Sequence, residues 1–112
     1  MKKIEAIVRP EKLEVLKDKL LQAKVNGITI SQVFGCGNQH GWTEYVRGSE
    51  VILNTRSKVQ FTIVLPDDRA EEIISIIVDA TKTGEVGDGK IFVTDIADAI
   101  RIRTGDRGND AL

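Results

Sequence analysis

Cysteine, histidine and proline are scarce in this sequence, which has one cysteine, one histidine and two prolines among 112 residues. The single Cys36 excludes a disulfide within the chain and a cysteine-based zinc cluster. The single His40 is more often a surface residue than a metal ligand, because metal sites need several converging groups. Aromatic residues are also few, with three Phe, one Trp and one Tyr.

An excess of charge of either sign is missing as well. Lys plus Arg number 16 and Asp plus Glu number 17, a balance that gives no indication of general nucleic-acid or membrane-surface binding. There is neither a signal-peptide pattern nor an uncharged apolar run of about 18 residues, the length that a transmembrane helix needs. We therefore expect one small cytoplasmic domain without membrane insertion, in which local clusters carry any anion recognition.

Hydrophobic periodicity predicts strands and helices in the first part of the chain. Residues 3–9 alternate as a strand does, and Pro10 opens a helix. The apolar residues of that helix recur at three- and four-residue spacing, and Asn26-Gly27 is expected to end it. A second strand then covers residues 28–36.

The rest of the chain predicts a similar set of elements. A strand over residues 59–65 is followed by Pro66-Asp67-Asp68, which is expected to cap a second helix that Gly84 ends. The inner stripe of this helix consists of Ala70, Ile73, Ile74, Ile77 and Thr81. Residues 90–96 read as another strand, and Ile100 with Ile102 suggests a short fifth one. The polar tail 104–112 is expected to be mobile.

Residues 37–57 show no clean period, and a loop of this length in a compact domain is either disordered or functional. It contains Trp42, Tyr45 and Arg47, the residue types that anchor protein interfaces. The alternative is a loop whose aromatic side chains fold back on their own domain.

The order β-α-β-β-α-β predicts an α+β, ferredoxin-like fold with both helices on one face of a four-stranded antiparallel sheet. The other face still carries Ile7 and Val64. Leaving these wet would expose apolar surface, so we expect self-association through this face. A dimer and a trimer both satisfy that expectation.

The segment Thr83-Gly84-Glu85-Val86-Gly87-Asp88-Gly89-Lys90 has residues suited to anion binding. Gly87 and Gly89 allow successive backbone N–H groups to converge on an anion, and Lys90 adds a positive charge. It is not a Walker loop, because the spacing differs and no helix follows. The alternative is an ordinary helix C-cap and tight turn, with Lys90 solvated.

Arg101 and Arg103 form a second candidate. Two apart on a strand, they would project from one face and bind phosphate oxygens bidentately. The alternative is an edge strand protected by charge. Two separate phosphate-binding elements together favour a nucleotide.

Catalysis has little support in the sequence. No Ser/His/Asp or Cys/His set is suggested, and helix capping explains the pair Asp67-Asp68. We therefore expect that the chain is not an enzyme, and rank a slow ATPase as a distant alternative.

The chain resembles the PII signal-transduction proteins over essentially its whole length. The matching segments are Met1 to Ile7, Thr43-Glu44 with Arg47-Gly48, Thr83 to Val93, and Ile100 to Gly105. This resemblance implies a trimer with three clefts between subunits where ATP and ADP compete. It also implies a mobile T-loop (37–57), a phosphate-binding loop (82–90) and a C-terminal loop (101–112).

In this family Arg101 and Arg103 reach the phosphates from the adjacent chain, while Thr29 and Val64 help to hold the adenine. The nucleotide-site residues that the resemblance implies are Ile7, Thr29, Gly35, Cys36, Gly37, Asn38, Gln39, Lys58, Val64, Gly87, Asp88, Gly89, Lys90, Arg101 and Arg103.

Many PII proteins also bind 2-oxoglutarate with Mg-ATP, where Gln39 is the metal ligand and Lys58 pairs with the acid. Oxygen donors of this kind suit Mg²⁺. The T-loop then controls a target protein: an ammonium channel, another transporter, a metabolic enzyme, a glutamine-synthetase regulator or a transcription factor.

Three positions depart from the family pattern. Val51 replaces the tyrosine that is uridylylated, so that modification is excluded. Asn38 replaces an arginine that contacts phosphate, which predicts weaker ATP binding or a changed ATP/ADP balance. Thr62 replaces a glutamate near Lys58, which puts the 2-oxoglutarate response in doubt. The alternatives are an ATP/ADP sensor that ignores 2-oxoglutarate and regulates a transporter, and a PII-like trimer that binds a metal ion or bicarbonate.

Overall fold

The computed structural model describes residues 1–36, 42–46, 49–53 and 55–112, and for the two middle segments it describes the backbone. The helices and strands, in chain order, are β1 (Lys2–Val8), α1 (Leu13–Gln22), β2 (Ile28–Gly35), β3 (Trp42–Val46), β4 (Ser49–Leu53), β5 (Arg56–Leu65), α2 (Ala70–Thr81) and β6 (Lys90–Asp95).

Four of the strands form one antiparallel sheet in the order β2-β5-β1-β6. Both helices pack on one face of it, where alternate residues of β1 and β5 are buried against the helices. The predicted α+β, ferredoxin-like fold is confirmed. The core residues include Ile4, Ala6, Val8, Leu16, Leu20, Phe61, Ile63, Ile73 and Ile77.

The inner stripe of the second helix is confirmed. Ala70, Ile73, Ile77 and Thr81 are buried and Ile74 packs against them. The opposite face of the sheet carries Ile7 and Val64, both partly exposed and without a helix above them. This helix-free face is the one that the sequence predicts for self-association.

The predicted end of the first helix was wrong. The helix ends at Gln22, and the left-handed residue is Lys24 (φ 63°) rather than Gly27. The amide of Val25 donates to the carbonyl of Leu20 and that of Lys24 to Leu21, both at 3.0 Å. This is the Schellman pattern, and burial of Val25 against Leu20 favours it over a later glycine cap.

The predicted cap of the second helix was also wrong. Asp67–Arg69 forms a turn of 3₁₀ helix before α2, and no side chain caps either element. Instead the carboxylate of Asp67 lies 2.9 Å from the amino group of Met1. An ion pair with the start of β1 has replaced the expected cap.

Regular structure extends into the segment predicted to have none. β3 pairs with β4 in a separate two-stranded sheet, and β5 begins at Arg56, three residues before the predicted start. The pairing of Gly35 with Arg56 explains this early start, because β2 supplies hydrogen-bond partners beyond the apolar run. That the T-loop is mobile stays a prediction.

The predicted fifth strand is absent from the part of the chain that the structure describes. Residues 102–104 form a turn in which the Gly105 amide donates to the Arg101 carbonyl at 2.7 Å, and only an isolated bridge joins Ile100 to Arg107. Arg101 and Arg103 therefore do not share one face of a strand. The tail predicted to be mobile folds into a 3₁₀ turn, Gly108–Ala111.

Candidate functional site

The helix-free face ends in an open cavity of about 420 Å³ where β2, β5 and the loop before β6 meet. Strand register brings its walls together, since Gly35 pairs with Arg56 and Ile7 pairs with Lys90. The lining residues are Ile7, Gly35, Cys36, Arg56, Lys58, Val86, Gly87, Gly89, Lys90 and Phe92. We call this space the cationic cavity.

The charges that line the cationic cavity are all positive. They belong to Arg56, Lys58 and Lys90, and among the described lining residues there is no Asp or Glu. Three cations without a counter-charge in a concave, partly apolar site favour an anionic ligand. Arg56 offers a bidentate fork for oxygen acceptors, whereas the two lysines act as point charges.

The segment predicted to bind phosphate (82–90), which we continue to call the phosphate-binding loop, requires its glycines for two physical reasons. Gly84, Gly87 and Gly89 have φ of 88°, 103° and 102°, a region that residues with a Cβ rarely occupy. At Gly89 a Cβ would also lie 1.7 Å from the carbonyl oxygen of Ile7. The loop therefore lies directly on β1, and its backbone forms part of the cavity wall.

Asp88 connects both ends of this loop. Its carboxylate accepts hydrogen bonds from the Thr83 hydroxyl, from the amides of Thr83 and Gly84 at 2.9 Å, and from Nε of Arg9 at 3.3 Å. Thr83 is the main reason that the pKa of Asp88 lies far below its ordinary value, followed by the Gly84 amide and Arg9. Asp88 is therefore an anion inside the loop at neutral pH.

Lys58 joins the loop to β5. Its Nζ donates a hydrogen bond of 2.5 Å to the carbonyl oxygen of Gly87. The residue predicted to pair with 2-oxoglutarate thus contacts the predicted phosphate-binding loop in this structure. Its pairing with the acid stays a prediction. Gln39, its predicted companion and metal ligand, lies outside the described residues.

The cationic cavity assembles much of the predicted site. Seven predicted residues line it: Ile7, Gly35, Cys36, Lys58, Gly87, Gly89 and Lys90. Thr29 and Val64 are on the same sheet face but farther along it, opposite Thr62 and Lys3, and they do not line the cavity. Gly37 and Asn38 lie outside the described residues.

Arg101 and Arg103 are not at the cationic cavity of their own chain. The Arg101 guanidinium contacts the Asp106 carboxylate at 3.5 Å and donates to the carbonyl of Leu112 at 3.2 Å. Their assignment to the cavity of an adjacent chain stays a prediction.

Sequence reasoning missed three residues of this region, Arg9, Arg56 and Phe92, and it placed Val86 in the phosphate-binding loop without assigning it to the site. Arg56, Val86 and Phe92 line the cavity, and Arg9 contacts the loop behind it. Arg56 had a readable signal, because it precedes Lys58 by two residues and so shares its face of a strand. It was missed because the strand was predicted to begin at Val59.

Two further properties concern only the described residues. They contain no group of three or more His, Cys, Asp and Glu side chains that could hold a metal ion. Within the same part of the chain, every helix is too short or too polar to cross a bilayer.

Comparison with known proteins identifies the family of this chain. The family model "Nitrogen regulatory protein P-II" matches residues 1–106. Among curated relatives, the nitrogen regulatory proteins P-II of Bradyrhizobium diazoefficiens, Rhizobium meliloti and Pyropia yezoensis are 48%, 46% and 46% identical to this chain. Each alignment spans 112 residues and covers 100% of both proteins. A whole-length match to proteins of one regulatory class, on the predicted fold, shows that the chain belongs to the P-II family of nitrogen regulatory proteins.

Proposed function

We propose that this P-II protein binds ATP and ADP competitively at the cationic cavity and controls a target protein through its T-loop. The observation that carries the proposal is the cavity itself, where Arg56, Lys58 and Lys90 line a concave space beside the glycine-rich loop. A polyphosphate is the small metabolite whose charge and many acceptors match such a wall.

A homotrimer would complete the site. The cavity is open, so a neighbouring subunit has room to contribute Arg101 and Arg103 from its C-terminal loop. The single chain also leaves large apolar side chains uncovered: Ile102 is 99% exposed, Val86 80% and Phe34 78%. Soluble proteins usually cover such residues, and association between subunits would do so here.

The position of the cavity gives a ligand access to the T-loop. Gly35 and Cys36 come directly before this loop, and Arg56 lies where it returns to the sheet; all three line the cavity. A nucleotide that binds differently to two arrangements of these ends would shift the population of loop conformations. The target protein, which is a transporter such as an ammonium channel, a metabolic enzyme or a transcription factor, would bind one of these loop conformations in preference to the others.

Calorimetry with ATP and with ADP tests the nucleotide site. We expect Lys90→Ala and Arg103→Ala each to lower the affinity for ATP at least 10-fold, equivalent to about 1.4 kcal/mol of binding free energy, because each removes a charge-assisted contact. Lys19→Ala is the matched control, since Lys19 is exposed on α1 away from the cavity. Unchanged ATP affinity in both site variants would refute the assignment.

A second candidate is an ATP/ADP sensor that ignores 2-oxoglutarate. It is favoured by the bond between Lys58 and the Gly87 carbonyl, which engages one of the three donors of the ammonium group that would pair with the acid. Thr62, in place of an acidic residue on the same strand, points the same way. We expect ATP affinity in Mg²⁺ to change less than twofold when 2-oxoglutarate is added; a larger gain would contradict this candidate.

A further inference from the structure

We propose that Asp88 and Arg9 are positioning residues, which fix the phosphate-binding loop in the shape that presents its amides to the nucleotide. The inference rests on the proposed nucleotide site and adds to it two residues that act from behind the loop. In this reading the backbone of residues 87–90 meets the phosphates, whereas the carboxylate of Asp88 does not.

The direction of the Asp88 side chain supports this division. Asp88 does not line the cationic cavity, although its neighbours Gly87 and Gly89 do. It lines a separate cavity of about 410 Å³ instead, beside Ile74 and Val78 of α2. A carboxylate on the nucleotide side would repel phosphate, and the structure places this one on the other side of the loop.

The hydrogen bonds of Asp88 close the loop into a ring. The amides of Thr83 and Gly84, at its beginning, donate to a side chain near its end. Those two amides are thereby directed inward, away from any external anion. What remains for a phosphate is the stretch at Gly87 and Gly89, where positive φ turns the backbone.

Arg9 fastens this ring to the sheet. It directly follows β1, and its guanidinium donates from Nε to Asp88 at 3.3 Å and from Nη2 to the carbonyl of Val86 at 2.8 Å. One planar guanidinium therefore donates from two separate nitrogens to two residues of the loop, a geometry that the single nitrogen of a lysine does not reproduce. From the cavity side, Lys58 adds the bond to the Gly87 carbonyl.

The Asp88→Asn variant distinguishes positioning from simple charge. Removing a negative charge near the site would tighten ATP binding if charge alone mattered. Positioning predicts the reverse: ATP should bind about 10-fold more weakly, because the free-energy cost of ordering the loop then reduces the net free energy of binding. Arg9→Gln should have a similar effect, and the double variant should be no weaker than the weaker single variant, since both residues act as one unit.

The measurement is calorimetry with ATP and with adenosine, together with amide hydrogen exchange of the nucleotide-free protein. We expect adenosine affinity to change less than twofold. Exchange at Thr83 and Gly84 should accelerate in Asp88→Asn and stay unchanged in Asp95→Asn, a matched control whose carboxylate pairs with Lys2 outside both cavities. Arg9→Lys should recover only part of the affinity for ATP.

The outcomes separate the two proposals. If Asp88→Asn binds ATP as tightly as wild type or more tightly, the positioning role is refuted and the nucleotide site stands. If the Thr83 and Gly84 amides exchange freely in the wild type, the ring does not form in solution and the inference also fails. A wild-type protein that does not bind ATP refutes the proposed function, and the positioning role with it.

Discussion

The phosphate-binding loop and the C-terminal loop are built on the same local chemistry but anchored in different ways. An aspartate within the first loop, and one just before the second, each accepts hydrogen bonds from two backbone amides and a guanidinium. The guanidinium is that of Arg9 for Asp88, and that of Arg107 for Asp98, at 2.7 Å. For Asp88 the arginine directly follows β1 and lies 79 residues away in the sequence. For Asp98 it comes from nine residues away.

The two loops therefore differ in how firmly they are attached to the rest of the subunit. The phosphate-binding loop is fixed to the sheet by Arg9, by Lys58 and by the contact of Gly89 with β1. The C-terminal loop makes most of its bonds to itself and leaves Ile102 almost fully in solvent. A loop that carries two arginines and an uncovered isoleucine is suited to contact a second subunit, which is where the proposed function places it.

The largest expected effect is a loss of stability on replacing a glycine, and it should differ between the two loops. Gly89→Ala requires a forbidden φ and a Cβ at 1.7 Å from the Ile7 oxygen, so we expect a loss of roughly 3 kcal/mol in unfolding free energy. Gly105→Ala meets no atom within 4 Å and should cost about 1 kcal/mol, the φ penalty alone. Denaturant unfolding at one protein concentration measures both, and equal losses would show that Gly89 is not pressed against β1.

The next effect tests whether the C-terminal loop meets another subunit. Ile102→Asn should leave the fold intact, because the side chain is 99% exposed in one chain. If the proposed trimer buries this side chain, each contact should lose about 1.5–3 kcal/mol. The variant should then dissociate at protein concentrations at which the wild type remains assembled. Sedimentation velocity over a dilution series measures this, with Val15→Asn on α1 as the control. Identical assembly of Ile102→Asn and wild type would mean that this loop faces solvent.

A smaller effect should come from the cation that sequence reasoning missed. Arg56→Ala should weaken ATP binding by about 3- to 10-fold, because this side chain is exposed and solvent screens its contact with an anion. Arg69→Ala is unsuitable as a control because its guanidinium donates to the carbonyl of Ala23; Lys19→Ala serves instead. ATP affinity equal to wild type would remove Arg56 from the site.

The smallest effect concerns acid stability, where the two loops should behave alike. Hydrogen bonds from Arg107 and from the Ala99 and Gly108 amides lower the pKa of Asp98 below its ordinary 3.8, and the pKa of Asp88 is lowered as well. A carboxyl with a depressed pKa contributes stability that is fully present above 3.8 and lost as pH falls through its folded value. Asp98→Asn and Asp88→Asn should each show less loss of stability below pH 4 than wild type, measured by acid unfolding. A steeper loss in either variant would contradict the ion pair.

The local hydrophobic pattern was sufficient to predict the helices and strands that bury one face against the core. The stripe at Ile73 and Ile77 and the alternation in β1 each required one buried face, and both were predicted correctly. Local pattern gave a wrong prediction where a distant partner determined the structure. Asp67 pairs with the amino group of Met1 and does not cap the helix. Pairing with β2 lets β5 begin as early as Arg56. The same reason explains why Arg9 was missed, since nothing near it in sequence indicates a bond to Asp88.

The sequence by itself determined the fold class, the glycine-rich turn and the family, because these depend on period, on φ values that only glycine adopts easily, and on long matching segments. Only the tertiary structure decided which way Asp88 points, which cations share one cavity, and that Arg101 begins a turn rather than a strand. The first two depend on hydrogen bonds and strand registers between segments that are tens of residues apart, which no short window of residues contains. The third depends on backbone bonds that join Arg101 to Gly105 and Asp106, which the alternation of Ile100 and Ile102 does not indicate.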